Sequence, residues 1–270
     1  MQEYNSTDQH IHLLCQPIAK LNRTYVTKKE DDSHTNLFFD SVNNRIFGRW
    51  VETNQGFVVL ALNLETQEYE WLTKSLHQIS THNVVGKTIE EIEIDTEQLL
   101  DSKGQSIAGF RKPLHFDIPD YSFKEEPFKP FNKVGLSEWK EYRRLANSMC
   151  SSVLGMLQAD GEARIWPHHF DTGIYIEQTS SLGIGYGLAT FDGMLDSAYF
   201  YVSGYGLNDA AIDYNKLEQP SFGKWLTEDW KGAALEIKKL QGLSLLEKVN
   251  IVEKFSATAI QQLMISQGIH

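Results

Sequence analysis

Short strand-like segments follow one another along this chain with only brief connections between them. LFFDSV and RIFGRWV flank Asn43-Asn44, and FVVLALNL at 57–64 and YEWL at 69–72 come next. Asparagine tolerates the positive φ of a tight turn, so Asn43-Asn44 indicates a β-hairpin. Strands with such short connections pair antiparallel, because a parallel pair needs a crossover of a dozen or more residues. We therefore expect antiparallel sheets.

Helical patterns surround these strands. The apolar spacing after Ser6-Thr7-Asp8 predicts a first helix capped there, which Pro17 should shorten or kink. Thr88 is a suitable cap for a helix to about Leu100, although alternating isoleucines leave a strand open in that segment.

Two further helices are predicted in the second half of the chain. Ser137 precedes an apolar stripe that ends at Asp160-Gly161, and Ser244 precedes the last stripe. Four strand-like segments lie between these helices: ARIWPHHFDTGIYIE, LGIGYGLATFD, AYFYVSGYG and GKWLTEDWKGAAL.

The order of elements is therefore similar in the two halves. Each half shows a helix, three or four strands and a further helix, which predicts an internal duplication of an α-β-β-β-α unit. We expect an α+β fold of mainly antiparallel sheets with helices packed on one face. Residues 1–110 and 137–270 form the two halves, which could pack as one domain, and 111–136 is a connector rich in proline and aromatic residues.

Composition excludes several classes of partner. The net charge is −11, and no basic run exceeds two residues, which argues against nucleic acid and anionic membrane surfaces. The chain has only two cysteines, Cys15 and Cys150, and two lone cysteines far apart do not make a disulfide framework or a CxxC metal site. With no signal peptide and no membrane-spanning apolar run, we expect a cytoplasmic protein. The oligomeric state stays open.

The segment RIWPHHFDTG carries the most unusual polar residues. If it is a strand, alternate side chains share a face, so His169 lies with Asp171 while His168 lies on the other face. The two histidines would then point apart. A His–Asp pair can orient an imidazole or present two metal ligands.

A similar cluster precedes the first hairpin. The same alternation in DSHTNLFFD puts His34, Asn36 and Asp40 on one face. If the halves are related by a pseudo-twofold axis, this cluster and His168, His169 and Asp171 converge on one cleft. A divalent metal is a possible cofactor, with His169, Asp171 and His34 as ligands. The alternative is structural: His168 as a core histidine, and the first cluster as backbone caps.

Aromatic residues of the second half could line the same cleft or belong to the core. The candidates are Trp166, Tyr186, Tyr201, Trp225 and Trp230. GIGYG at 183–187 is not a dinucleotide fingerprint, because strand-like residues lie on both sides of it, and it indicates close backbone packing.

Several motifs together resemble a known family. DDSHTNL at 31–37, WPHHFD at 166–171, the IGxG pattern with YFYVS after it, and KWLTEDWKGAAL are similar to an uncharacterised bacterial family with a WPHHFD signature, itself similar to PHHFD-type domains of unknown function. The resemblance covers roughly residues 10–260. It implies that six residues belong to the family's shared pattern: His34, Asn36, Trp166, His168, His169 and Asp171.

The resemblance implies no activity, and the chain departs from it at two positions. Phe39 stands where a tryptophan is usual, and Leu226 stands where a histidine is usual. The second change weakens any role of that histidine as a required ligand or base.

The sequence predicts a small-ligand or metal-binding pocket formed by His/Asp clusters, with hydrolysis as one form of its activity. The alternative is a non-catalytic binding or structural protein in which WPHHFD locks the sheet.

Overall fold

The computed structural model describes residues 1–54 and 56–269. It confirms an α+β fold in which both sheets are antiparallel. The helices are α1 (Gln2–Tyr25), α2 (Ile89–Ser102), α3 (Lys133–Leu157) and α4 (Leu245–Ser266). Short 3-10 turns cover Ser33–Thr35, Tyr214–Lys216 and Ile237–Leu240.

The first sheet contains the predicted hairpin. Its strands are β1 (Phe38–Asp40), β2 (Arg45–Phe47), β3 (Val51–Thr53), β4 (Gly56–Asn63), β5 (Glu68–Thr73) and β6 (Gln78–Asn83), in the order β1-β2-β4-β5-β6, and β3 also pairs with β4. Asp40 lies opposite Arg45, and Asn44 has a φ of 54°, as the tight turn requires. Sequence patterns did not predict β6, whose residues QISTHN are mostly polar and exposed.

The second sheet also has six strands. They are β7 (Arg164–Ile165), β8 (Thr172–Thr179), β9 (Leu182–Ala189), β10 (Tyr199–Gly206), β11 (Lys224–Leu226) and β12 (Gly232–Glu236), in the order β11-β12-β10-β9-β8-β7. GIGYG lies inside β9, as its pattern indicated. A Cβ on Gly187 would lie 2.3 Å from the carbonyl oxygen of Thr172, so β8 and β9 approach closely there.

Contacts between Cα atoms divide the chain into two compact units. The first unit comprises Gln2–Lys140 and Ile165–Phe170, and the second comprises Met1, Glu141–Arg164 and the described chain from Asp171. In the first unit α1 packs on β3 and β4, and in the second α4 packs on β9, β10 and β12. Ile165–Phe170, which include most of the WPHHFD motif, therefore belong to the first unit, although the residues just before and just after them belong to the second.

Two helix starts differ from their predictions. The α1 helix begins at Gln2 and continues through Pro17, so Ser6-Thr7-Asp8 lies inside the helix and is not its cap. Asp8 is instead buried, and its Oδ1 accepts a 2.7 Å hydrogen bond from Trp139 Nε1. The α3 helix begins four residues before Ser137, because Asn132 Oδ1 accepts hydrogen bonds from the first free backbone N–H groups.

The predicted connector, 111–136, is free of helix and strand only as far as residue 132, because 133–136 belong to α3. Residues 104–132 contain no helix or strand, and Phe110 and Phe128 are buried. Arg23 fixes part of it by donating to four carbonyl oxygens between Gly109 and Pro113, at 2.8–3.1 Å. The predicted single strand at 223–235 is in fact two, β11 and β12, which pair with each other.

Candidate functional site

The WPHHFD motif is a turn, and the strand predicted through it is wrong. The β7 strand ends at Ile165, residues 167–169 form the turn, and β8 begins only at Thr172. Pro167 has no N–H to donate to a ladder, and the Phe170 N–H bonds back to the Trp166 carbonyl at 2.6 Å. Alternation therefore does not apply, and the ring centroids of His168 and His169 lie 4.3 Å apart instead of on opposite faces.

Buried polar contacts hold this turn in the first unit. Ile165 exchanges two backbone hydrogen bonds with Leu37, at 2.8 and 2.9 Å. The Pro167 carbonyl oxygen lies 2.8 Å from His12 Nε2 and accepts a second bond from Gln16 Nε2 at 2.9 Å. A carbonyl only accepts, so Nε2 of His12 carries the proton, and His12 Nδ1 accepts from the Tyr121 hydroxyl at 2.7 Å.

Phe170 anchors the end of the turn in a strained backbone conformation. Its φ is 55°, a left-handed value that costs a non-glycine residue about 1–2 kcal/mol. Its side chain is fully buried, stacked on His12 at 4.8 Å between ring centroids and on Trp139 at 6.4 Å. Burial of an aromatic ring exceeds the strain in free energy, so packing determines this conformation.

The histidines of the motif meet residues from two other segments. We define the histidine cluster as Asp32, His34, His115, His168 and His169. His115 Nε2 lies 2.9 Å from Asp32 Oδ2, and the ring of Phe116 lies 5.4 Å from that of His168. Asp32 and His115 act electrostatically on both His34 and His168. The 3-10 turn, the connector and the motif therefore contribute to one cluster within the first unit.

Burial favours the neutral form of two imidazoles of the cluster. Burial, followed by the nearby His169, lowers the pKa of His168 to about 4, although Asp32 acts in the opposite direction. Burial also lowers the pKa of His34, whose Nδ1 accepts a 3.3 Å hydrogen bond from the Lys29 N–H. His168 is only half-buried, and its ring has no hydrogen-bond partner in the described part of the chain.

The other predicted polar residues lie in different settings. Asp40 caps the first hairpin, where its carboxylate accepts from the backbone N–H of Val42 at 2.9 Å and the side chain of Asn43 at 2.8 Å, so the structural alternative applies to it. Asn36 is fully buried, and both polar atoms of its side chain lack a hydrogen-bond partner among the described residues. Asp171 belongs to the second unit and accepts from the Tyr201 hydroxyl at 2.6 Å. The pairing of His169 with Asp171 stays a prediction.

The predicted pocket aromatics are used mainly in packing. Tyr186 is fully buried, and Trp225 donates from Nε1 to the Glu218 carbonyl at 2.8 Å. Tyr201 and Trp230, with ring centroids 6.3 Å apart, pack against a small apolar cluster of the second unit. Trp166 belongs to the first unit, near His168.

Sequence reasoning missed His115 and Asp32. One signal was available: His115-Phe116-Asp117, in the connector, repeats the HFD of His169-Phe170-Asp171. His12 and Gln16 had no such signal, because their role depends on a carbonyl more than 150 residues away.

The arrangement suits hydrogen bonding better than metal ligation. Within residues 1–54 and 56–269, no three His, Cys, Asp or Glu side chains are grouped as a metal ion requires. In the same residues, no helix is both long and apolar enough to cross a bilayer.

Comparison with known proteins adds no relative. No family model matches the chain, and no curated protein or solved structure is significantly similar to it.

Proposed function

We propose that the histidine cluster binds a small polar molecule that donates hydrogen bonds. The observation that carries the proposal is the meeting of three separate segments: His115 lies on Asp32, and the ring of Phe116 lies against His168, whose ring is 4.3 Å from that of His169. These polar side chains do not serve the apolar core, and His115 and His169 are exposed, so a dissolved molecule can reach the cluster. His168 and Asp32 both present acceptor atoms, so hydroxyl or amine groups complement them.

The low pKa of His168 favours binding over catalysis by that residue. General-base efficiency is greatest when the pKa of the base lies near the operating pH. An imidazole with a pKa of about 4 is a weak proton acceptor at neutral pH, yet it remains a good hydrogen-bond acceptor.

The test compares His168→Phe with His77→Phe. Phenylalanine keeps the ring contacts and removes the nitrogen atoms, and His77 is an exposed histidine outside the cluster. A panel of neutral sugars, polyols and primary amines is titrated by calorimetry. We expect at least one compound to bind the wild-type and His77→Phe proteins and to lose about tenfold or more in affinity with His168→Phe, as for a lost hydrogen bond. No binding in the panel, or equal binding by both variants, would refute the proposal.

A hydrolytic activity is the second candidate, and the His115–Asp32 pair favours it. The carboxylate of Asp32 lies 2.9 Å from Nε2 of the exposed His115 imidazole. This contact orients the ring and leaves Nδ1 to accept a proton from water or a substrate. Hydrolysis of p-nitrophenyl acetate should then fall with Asp32→Asn and with His115→Phe, and not with His77→Phe. Equal rates in all three variants would reject this candidate.

A further inference from the structure

A cavity lies in the first unit, between the C-terminal half of α2 and strands β3 to β6. Its volume is about 240 Å³. Cavities of roughly 150 Å³ lined by aliphatic and aromatic side chains are known to bind benzene. This cavity is therefore large enough for a ligand, and it is distinct from the histidine cluster because the two share no residue.

The walls of the cavity are mainly apolar. Val51, Val58, Trp71 and Leu100 line its interior, and Phe57 and Ile79 stand at its mouth with about 40 % of their surfaces exposed. Exposed large apolar side chains at the entrance of an apolar cavity are typical of ligand sites. The pairing of β5 with β6 shifts register between Trp71 and Leu72, an irregularity that is common beside binding sites.

The charge at the mouth indicates the sign of the ligand. Lys103, which follows the last turn of α2, is exposed and is the only charged residue among the described residues that line the cavity. In the described part of the chain, no carboxylate forms an ion pair with Lys103. An ammonium group at the mouth of an apolar cavity suits the carboxylate of an apolar acid.

We propose that this cavity binds an apolar monocarboxylate, with its alkyl or aryl body against Val58 and Leu100. Lys103 at the mouth provides the opposite charge for the carboxylate.

The experiment is calorimetric titration of the full chain with octanoate, 3-phenylpropionate and 1-octanol. Val58→Trp fills the cavity, and Val42→Trp makes the same change at a residue that is 85 % exposed, as a matched control. We expect at least one of the acids to bind the wild-type and Val42→Trp proteins and not Val58→Trp. The better acid shows whether the natural ligand is an alkyl or an aryl compound.

Two further variants test the parts of the proposal separately. Lys103→Met should weaken binding of the acid about fivefold, as for an exposed ion pair, and leave 1-octanol unchanged. If Val58→Trp does not fold, Leu100→Phe serves as the cavity-filling variant. Failure of both acids to bind the wild-type protein at millimolar concentration, or equal binding by a folded cavity-filling variant and Val42→Trp, would overturn the proposal. An unchanged affinity of the acid for Lys103→Met would overturn the carboxylate assignment.

Discussion

Alanine substitutions within WPHHFD should lower the free energy of unfolding by very different amounts, because Phe170 is buried and His168 reaches solvent. Phe170→Ala removes a fully buried ring and its stacking on His12 and Trp139, so we expect the free energy of unfolding to fall by about 3–5 kcal/mol. The backbone strain is not relieved, because alanine at a φ of 55° is also strained.

His168→Ala should cost much less. The ring of His168 is half-buried, makes no hydrogen bond in the described chain, and contacts the rings of Trp166 and Phe116 at its edges. We expect a loss of about 0.5–1 kcal/mol, close to that of a surface substitution.

Urea unfolding at pH 7.5, followed by circular dichroism, measures both effects. His77→Ala is the control, since that side chain is exposed. The reasoning would be refuted if His168→Ala lost as much stability as Phe170→Ala, because the motif would then be structural throughout. A loss below about 1 kcal/mol for Phe170→Ala would show that the turn does not depend on its buried anchor.

Three further predictions concern the rest of the fold. Burial lowers the pKa of His82 to about 4, so the folded chain binds fewer protons than the unfolded chain between pH 6.5 and 4, and stability falls as the pH falls through that window. Urea midpoints at pH 7 and pH 5 should show His82→Gln losing about 1–2 kcal/mol less than the wild type over that interval. A Cβ on Gly135 would lie 2.4 Å from the Glu3 carbonyl oxygen, so Gly135→Ala should destabilise by about 1–3 kcal/mol in thermal unfolding, whereas Gly155→Ala on the same helix meets nothing within 4 Å and should be neutral or stabilising. Ser244→Ala removes the capping box of α4 and should cost about 1 kcal/mol, also read from the thermal midpoint, and no change would contradict the cap.

Features coded by neighbouring residues could be predicted from the sequence. Thr88 and Ser244 each form a capping box with a glutamate three residues later, and both helices begin where these residues indicate. The hairpin at Asn43-Asn44 depends on local turn chemistry, and it too was correct. The internal duplication stays a prediction, supported only by the similar order of elements.

Features that depend on distant contacts could not be predicted. The turn in WPHHFD requires two donors from α1, and the strained Phe170 requires Trp139 from α3. No periodicity within the motif carries that information, so it was interpreted as a strand. The place of Asp32 and His115 in the cluster was hidden for the same reason, since neither lies near the motif in sequence.

The central claim is that His168 is a neutral, water-reaching imidazole within one cluster that includes Asp32 and His115. A pH titration of the histidine ring signals by ¹H–¹⁵N NMR tests it most directly, with His168→Phe used to assign the signal. We predict that His168 titrates near pH 4 and that Asp32→Asn lowers its pKa further, because the carboxylate raises it in the wild type. A titration of His168 near pH 6.5 that Asp32→Asn leaves unchanged would contradict the cluster.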